Sequence, residues 1–191
     1  MISAVVLAAG TASRFGSTKQ LVLVDGKPLV QHAIDAAAAA ELDEIVVVLG
    51  HDADQVREAL ELPSNARAVV NDRYAQGQST SLAAGLFALD PSSEAAVVLL
   101  GDQPEVRPEE IRALIERFAE TRASTVRLRY RNAPGPALLG REIWPDALKL
   151  RGDTGARALF DSHEVDEVEI DRDVPRDIDR PADMRSSSRP D

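Results

Sequence analysis

Cysteine is absent from the 191 residues, which excludes disulfides, thiolate metal sites and cysteine nucleophiles together. A chain of this kind fits a reducing cytoplasm, and a cytoplasmic location is the expectation. Aromatic residues make up 4% of the sequence, too few for a platform on which single-stranded nucleic acid stacks. Cations are also scarce: 22 Lys and Arg stand against 32 Asp and Glu, a formal net charge of −10. Phosphate backbones and anionic membranes need cationic faces, so neither a nucleic acid nor a membrane is expected as partner. No apolar run approaches the roughly 20 residues of a membrane span. The apolar stretch Ile2 to Ala9 has no basic leader and breaks at once into a polar loop, so it reads as a strand, not a signal peptide. The three histidines, His32, His51 and His163, are scattered, and no Ser–His pairing suggests a nucleophilic triad. Chemistry without a covalent intermediate is expected.

What the chain does have is an ordinary globular composition, 44% hydrophobic and 28% charged, and length enough for a sizeable core. The expected organisation is one domain over 1–184 with a disordered tail over 185–191. Strands are predicted over 3–9, 44–50, 66–70, 95–101, 124–130 and 165–170, the second and fourth being continuous apolar runs typical of strands covered on both faces. Helices are predicted over 28–40, 52–60, 79–89 and 107–120, the third opening on a serine cap. This alternation predicts a three-layer α/β fold around a mostly parallel sheet. Ligands of such sheets sit beyond the carboxyl ends of the strands, which directs attention to residues 9–20, 71–79 and 101–106.

The first of these loops, in LAAGTASRFGSTKQ (7–20), carries two cations, Arg14 and Lys19, and no acid. It is neither a dinucleotide fingerprint nor a Walker loop. With Ala9, Gly10 and Thr11 offering backbone groups, it suits the phosphates of a nucleotide; the competing reading is a solvated loop with incidental cations. In LLGDQPEV, Asp102 just past a central strand is placed to bind Mg²⁺, which takes one or two carboxylates plus phosphate oxygens. Asp is also common in a turn closed by proline, here Pro104. In NDRYAQGQSTSLAAGL (71–86), Gly77, Ser79 and Ser81 would present N–H and hydroxyl groups to a base or ribose, or Ser79 would simply cap a helix. In RGDTGARALF and DIDRPADM, Asp153 and Asp177 or Asp179 are further carboxylates, each also readable as a turn or cap residue; Asp179 suits the cap of a short helix beginning near Pro181.

Taken together, LAAGTASRFGSTKQLVLVDGKPLVQHAI, NDRYAQGQSTSLAAGL, GDQP, RGDTGAR and DIDRPADM resemble, in the same order, motifs of the MobA-like nucleotidyltransferases, and within them the molybdenum cofactor cytidylyltransferases. The resemblance covers Ile2 to Met184. It implies a three-layer α/β/α Rossmann-like nucleotidyltransferase fold and Mg²⁺-dependent transfer of CMP from CTP to molybdopterin or a related phosphorylated acceptor. On this resemblance Arg14, Lys19 and Asp102 are the catalytic residues. Gly10, Thr11, Arg14 and Lys19 would grip the triphosphate. Leu7 would belong to the nucleotide site, and Ala8 and Ala9 would border the base, the L-A-A-G form being associated with cytidine. Gly77, Ser79 and Ser81 would line the nucleotide pocket. Asp102 would bind the metal with Asp177 or Asp179, and Asp153 and Arg157 would meet the acceptor. A molybdoenzyme or its maturation factor is the implied protein partner.

One motif departs. Where the family has G-H-P-(V/A)-L, this chain reads PGPALLGRE, with Gly135 in the histidine's place. Other phosphorylated acceptors, a guanylyltransferase, and a non-catalytic nucleotide- or cofactor-binding maturation factor stay open. The paired Lys19 and Asp102 favour catalysis, because a pure binder does not need them.

Overall fold

The structure is a computed structural model that describes residues 1–10, 18–178 and 183. Strand β1 (Ile2–Ala8) is followed by the small hairpin β2 (Leu23–Val24) and β3 (Lys27–Pro28), then α1 (Leu29–Ala39) and β4 (Glu44–Leu49). Next come α2 (Ala53–Ala59), β5 (Ala66–Val70), α3 (Gln78–Ala88), β6 (Ala95–Leu100) and α4 (Pro108–Thr121). The chain continues through β7 (Thr125–Tyr130), β8 (Pro134–Gly140), α5 (Trp144–Ala147) and β9 (Val165–Ile170). Seven strands form one sheet in the order β5-β4-β1-β6-β8-β7-β9. Only β8 runs antiparallel to its neighbours.

The apolar runs explain this arrangement. β1, β4 and β6 lie side by side in the centre, and alternate residues of each face opposite layers. Ala4, Val6, Ile45, Val47, Val97 and Leu99 pack on one side, against Val30 and Ile34 of α1 and Ile111, Leu114 and Phe118 of α4. Val5, Leu7, Val46, Val48 and Val98 pack on the other, against Leu82 and Leu86 of α3 and Trp144 of α5. Helix α3 seats so close that a Cβ on Gly85 would stand 2.3 Å from Val5 Cγ1. Helix α4 begins with Pro108 at its first position, and Glu110 accepts the Arg107 backbone N–H at 3.0 Å, closing the first turn. No helix among the described residues is long and apolar enough to cross a membrane.

The expected α/β architecture is present, with two differences of consequence. The residues PGPALLG form strand β8, which is not among the predicted strands; proline is unusual within a sheet. Both prolines are tolerated because the pairing with β7 shifts register between Arg127 and Arg129: Arg127 faces Ala137, but Arg129 faces Pro134. The extra residue is a β-bulge, and it reverses which face the following side chains occupy. The second difference is at α3, whose cap position is Gly77, with no side-chain cap; Ser79 lies inside the helix. The short helix expected near Pro181 and the tail over 185–191 fall outside the described residues.

Candidate functional site

The site is built where β1 and β6 end side by side, with Leu7 paired to Leu100. The Gly101 N–H donates to Leu7 O at 2.9 Å, and a Cβ at Gly101 would lie 3.1 Å from that same oxygen. Glycine thus lets the chain turn tightly into Asp102. The Asp102 carboxylate accepts from Lys19 Nζ through Oδ2 at 2.9 Å, and the lysine side chain is only 16% exposed. Its other oxygen, Oδ1, is buried and has no hydrogen-bond partner among the described residues. Lys19 opens a 3₁₀ turn, Lys19–Leu21, that follows the first loop.

Around this pair lies a cleft of about 710 Å³. Leu7, Ala8, Ala9, Gly10, Lys19, Gly77, Ser81, Asp102 and Asp153 all line it, joined by Gln20, Tyr74, Gln76 and Gln78, which the sequence had not singled out. A second cleft of about 460 Å³ adjoins it and shares Leu7, Gln78, Leu100 and Asp153. Its walls include Gln103, Pro134, Ala137, Arg157, Phe160 and Asp177. Asp153 therefore stands at the junction, while Arg157 and Asp177 belong to the second cleft alone.

Ser79 lines neither cleft. Its hydroxyl and its backbone N–H both donate to Gly152 O, at 2.8 and 3.2 Å, fastening α3 to the loop that carries Asp153. Gly77 makes the same junction possible: its φ is +111°, and a Cβ there would fall 2.2 Å from the Gly152 carbonyl. Asn71, 4% exposed at the end of β5, donates to Ser81 Oγ at 3.0 Å and Thr80 Oγ1 at 2.9 Å. The Ser81 hydroxyl so accepts within the protein and keeps its proton for the cleft it lines.

The second cleft rests on a buried ionic group. Glu110 Oε1 accepts from Arg172 Nε at 2.7 Å, and Oε2 accepts from Arg172 Nη2 at 2.8 Å and Tyr130 Oη at 2.9 Å. Burial pushes the Glu110 carboxyl up, but hydrogen bonds from Arg172, the Arg107 N–H and Tyr130 outweigh it and hold the carboxyl below its usual range. Burial, with Glu110 beside it, raises the Tyr130 phenol. The guanidinium also lies over the Tyr130 ring at 5.2 Å and donates to Glu105 O at 2.9 Å. From Arg172 the chain runs along the cleft wall to Asp177, whose Oδ1 accepts from Gln103 Nε2 at 2.8 Å, and to Ile178, whose N–H donates to Asp102 O at 3.0 Å. The Asp177 carboxylate and Asp102 are thus tied to one turn.

Position 135 resolves differently from the sequence comparison. Beyond the bulge a side chain at Gly135 would point at Tyr130, with a Cβ 2.2 Å from its Cε2. Gly135 lines the second cleft, but with Tyr130 packed as it is a side chain there would clash with the ring. Thr11, Arg14 and Asp179 lie outside the described residues. Among the described residues no three or more His, Cys, Asp or Glu gather as a metal cage; a cation here would rest on one or two carboxylates and on its substrate's oxygens.

A family profile for the MobA-like NTP transferase domain matches residues 4–168. Rv0371c from Mycobacterium tuberculosis H37Rv is similar in structure, with 32% identity, a TM-score of 0.85, and coverage of 96% of this chain and 95% of that one. The same mycobacterial protein in complex with manganese superposes with a TM-score of 0.81 at 31% identity, over 96% of each chain. The bifunctional protein GlmU of Bordetella petrii is 36% identical over 119 residues, 61% of this chain and 26% of that protein. The chain spans about a quarter of the length of the curated relatives it matches.

Proposed function

Since the chain belongs to the MobA-like NTP transferase domain family and is by fold a nucleotidyltransferase, we propose that it transfers CMP from CTP to molybdopterin or a related phosphorylated acceptor in the cytoplasm. An acceptor phosphate oxygen attacks the α-phosphorus, the bond between the α- and β-phosphates breaks, and pyrophosphate leaves with the bonding electrons. The observation that carries the reading is the pair of adjoining clefts sharing Leu7, Leu100 and Asp153, with Lys19 and Asp102 in the wall of the larger. One cleft suits the nucleotide and the other the acceptor.

Such transfers depend on positioning and charge neutralisation more than on covalent help. The acceptor phosphate is ionised at neutral pH and needs no general base, in keeping with a cleft lined by no histidine among the described residues. In this reading Ala8 and Ala9 border the base, and Gly10, Thr11, Arg14 and Lys19 hold the triphosphate. Gly77 and Ser81 complete the nucleotide wall, and Ser79 acts through Gly152. Asp153 and Arg157 meet the acceptor. The L-A-A-G form at the end of β1 supports cytidine.

A divalent cation fits the donor set. Asp102 offers a hard carboxylate oxygen, buried and without a partner among the described residues, of the kind magnesium and manganese prefer. Asp102, with Asp177 or Asp179, would hold it. Such an ion would supply neutralisation of the triphosphate charge. Gly135, in place of the family's histidine, lines the cleft assigned to the acceptor, so a related phosphorylated acceptor stays beside the pterin in this reading. A molybdoenzyme or its maturation factor would receive the product.

Calorimetric titration of CTP and GTP, with and without Mg²⁺, on the wild type and Asp102→Ala tests the reading. Mg²⁺-dependent binding that favours CTP and weakens at least tenfold in Asp102→Ala is expected. Preference for GTP overturns the base assignment, and failure of both nucleotides to bind overturns the function.

A further inference from the structure

We infer that Gln20 is a positioning residue for the triphosphate: its carboxamide, itself in the cleft wall, engages the carbonyls of Ala8 and Gly10 so that they do not confront the anion. The inference rests on the nucleotidyltransferase reading and adds a residue to it.

The end of β1 presents four successive carbonyls, from Leu7 to Gly10, beside the cleft assigned to the nucleotide. A carbonyl oxygen carries partial negative charge and repels a phosphate, whereas a backbone N–H attracts one. Three of the four oxygens accept a hydrogen bond within the protein. Leu7 O accepts from the Gly101 N–H at 2.9 Å. Ala9 O packs against Gly50, so closely that a Cβ there would come within 2.8 Å of it. The remaining two, Ala8 O and Gly10 O, are both taken by one group: Gln20 Nε2 donates to them at 3.0 and 2.8 Å. Backbone carbonyls two residues apart are thereby held by one amide.

The orientation of that amide follows from its surroundings. Reversed, it would set Oε1 against two carbonyl oxygens, acceptor on acceptor. As it stands, Oε1 is buried and has no hydrogen-bond partner among the described residues, in a side chain belonging to a residue only 6% exposed. Packing alone does not account for such a residue. A leucine or methionine would fill the same volume without leaving a buried acceptor unpaired, which costs stability. What glutamine adds over these is two donors aimed at the two carbonyls. Gln20 also lies between Lys19 and Leu21 in one 3₁₀ turn, so the same clamp anchors the turn whose Lys19 Nζ stands 2.9 Å from Asp102 Oδ2.

The test compares wild type, Gln20→Leu and Gln20→Glu by calorimetry with CTP, inorganic pyrophosphate and cytidine in the presence of Mg²⁺, with thermal unfolding measured alongside. Leucine removes both donors at similar volume; glutamate keeps the shape, removes the donors when ionised and adds a negative charge. Loss of two hydrogen bonds predicts CTP and pyrophosphate dissociation constants raised roughly tenfold to a hundredfold in Gln20→Leu and at least as much in Gln20→Glu. Cytidine, which has no phosphate, should bind all three within about twofold. If Gln20→Leu does not fold, Gln20→Glu carries the same comparison. Folded variants that bind CTP like the wild type, whatever their melting temperature, overturn the clamp and leave the functional reading standing. So does an equal loss for cytidine and CTP, which would mark a structural role. A wild type that binds no triphosphate overturns both.

Discussion

Replacing Glu110 with glutamine changes one atom in a group that joins α4, the β7–β8 hairpin and the C-terminal segment. The carboxylate accepts four hydrogen bonds, two from Arg172, one from Tyr130 and one from the Arg107 N–H, at 2.7 to 3.0 Å. Its side chain is 6% exposed and that of Arg172 is 21% exposed. Breaking a buried ion pair by removing one partner costs about 3–5 kcal/mol, because the other charge is left uncompensated. Glutamine keeps the shape and one acceptor oxygen, and Arg172 retains some contact with water. Both reduce the cost, to about 2–3 kcal/mol. For a chain of this size that lowers the melting temperature by about 5–10 °C. Thermal unfolding of Glu110→Gln, Arg172→Met and the double variant at pH 7 would measure it, and the double should cost less than the sum of the singles by at least about 1 kcal/mol. The pH dependence has a definite sign. A carboxyl held below its unfolded value stabilises the fold above that value, and the stabilisation is lost as pH falls through the lower folded one. The gap between wild type and Glu110→Gln should therefore narrow on acidification. A melting temperature within 2 °C of wild type, roughly the effect of 0.5–1 kcal/mol, or strictly additive singles, would refute the account.

Two glycines make opposite demands on propensity and space. Gly85→Ala gains about 1 kcal/mol of helix propensity, but the new methyl would meet fully buried Val5 at 2.3 Å; overpacking of about 1–3 kcal/mol outweighs it, and chemical denaturation should show a net loss. Gly135→Ala should lose about 1–3 kcal/mol against Tyr130, which cannot swing aside while Glu110 and Arg172 hold it, and Tyr130→Leu should absorb most of that loss in a double variant.

The parallel part of the sheet was legible because β1 from Ala4, β4 from Ile45 and all of β6 are apolar without interruption, and buried strands of that kind have no polar face to confuse the reading. β9 was found at its observed limits and the four longer helices to within a residue or two, whereas the short α5 was not predicted. Nor was strand β8, because Pro134, Gly135 and Pro136 are the residues of a turn, and only the bulge opposite β7 admits them to a sheet. The cleft was legible through its motifs. Lys19 and Asp102 were named from loops 83 positions apart, and they meet at 2.9 Å. What stayed hidden were the residues that hold the motifs in place. Gln103 and Arg172 act through hydrogen bonds to residues 74 and 62 positions away, and Gln20 and Asn71 reach across a loop to the neighbouring element; no local pattern announces a partner of either kind. Ser79 was named for the pocket but spends its hydroxyl on Gly152, since the loop carrying Asp153 needs an anchor on α3.

The reversed strand β8 has a consequence for how such a chain can diversify. Standing antiparallel between β6 and β7, it brings the connection at 131–133 to the same edge of the sheet as Asp102, where Ala133 and Pro134 wall the smaller cleft. A hairpin tip tolerates insertions, since doubling a loop's length adds only about 0.6 kcal/mol of closure entropy. Lengthening or shortening this one connection would reshape the cavity assigned to the acceptor while β1 and its loop stayed unaltered. On the proposed reading, the acceptor cleft could then be reshaped at this tip, away from Leu7, Gln78, Leu100 and Asp153, which both clefts share.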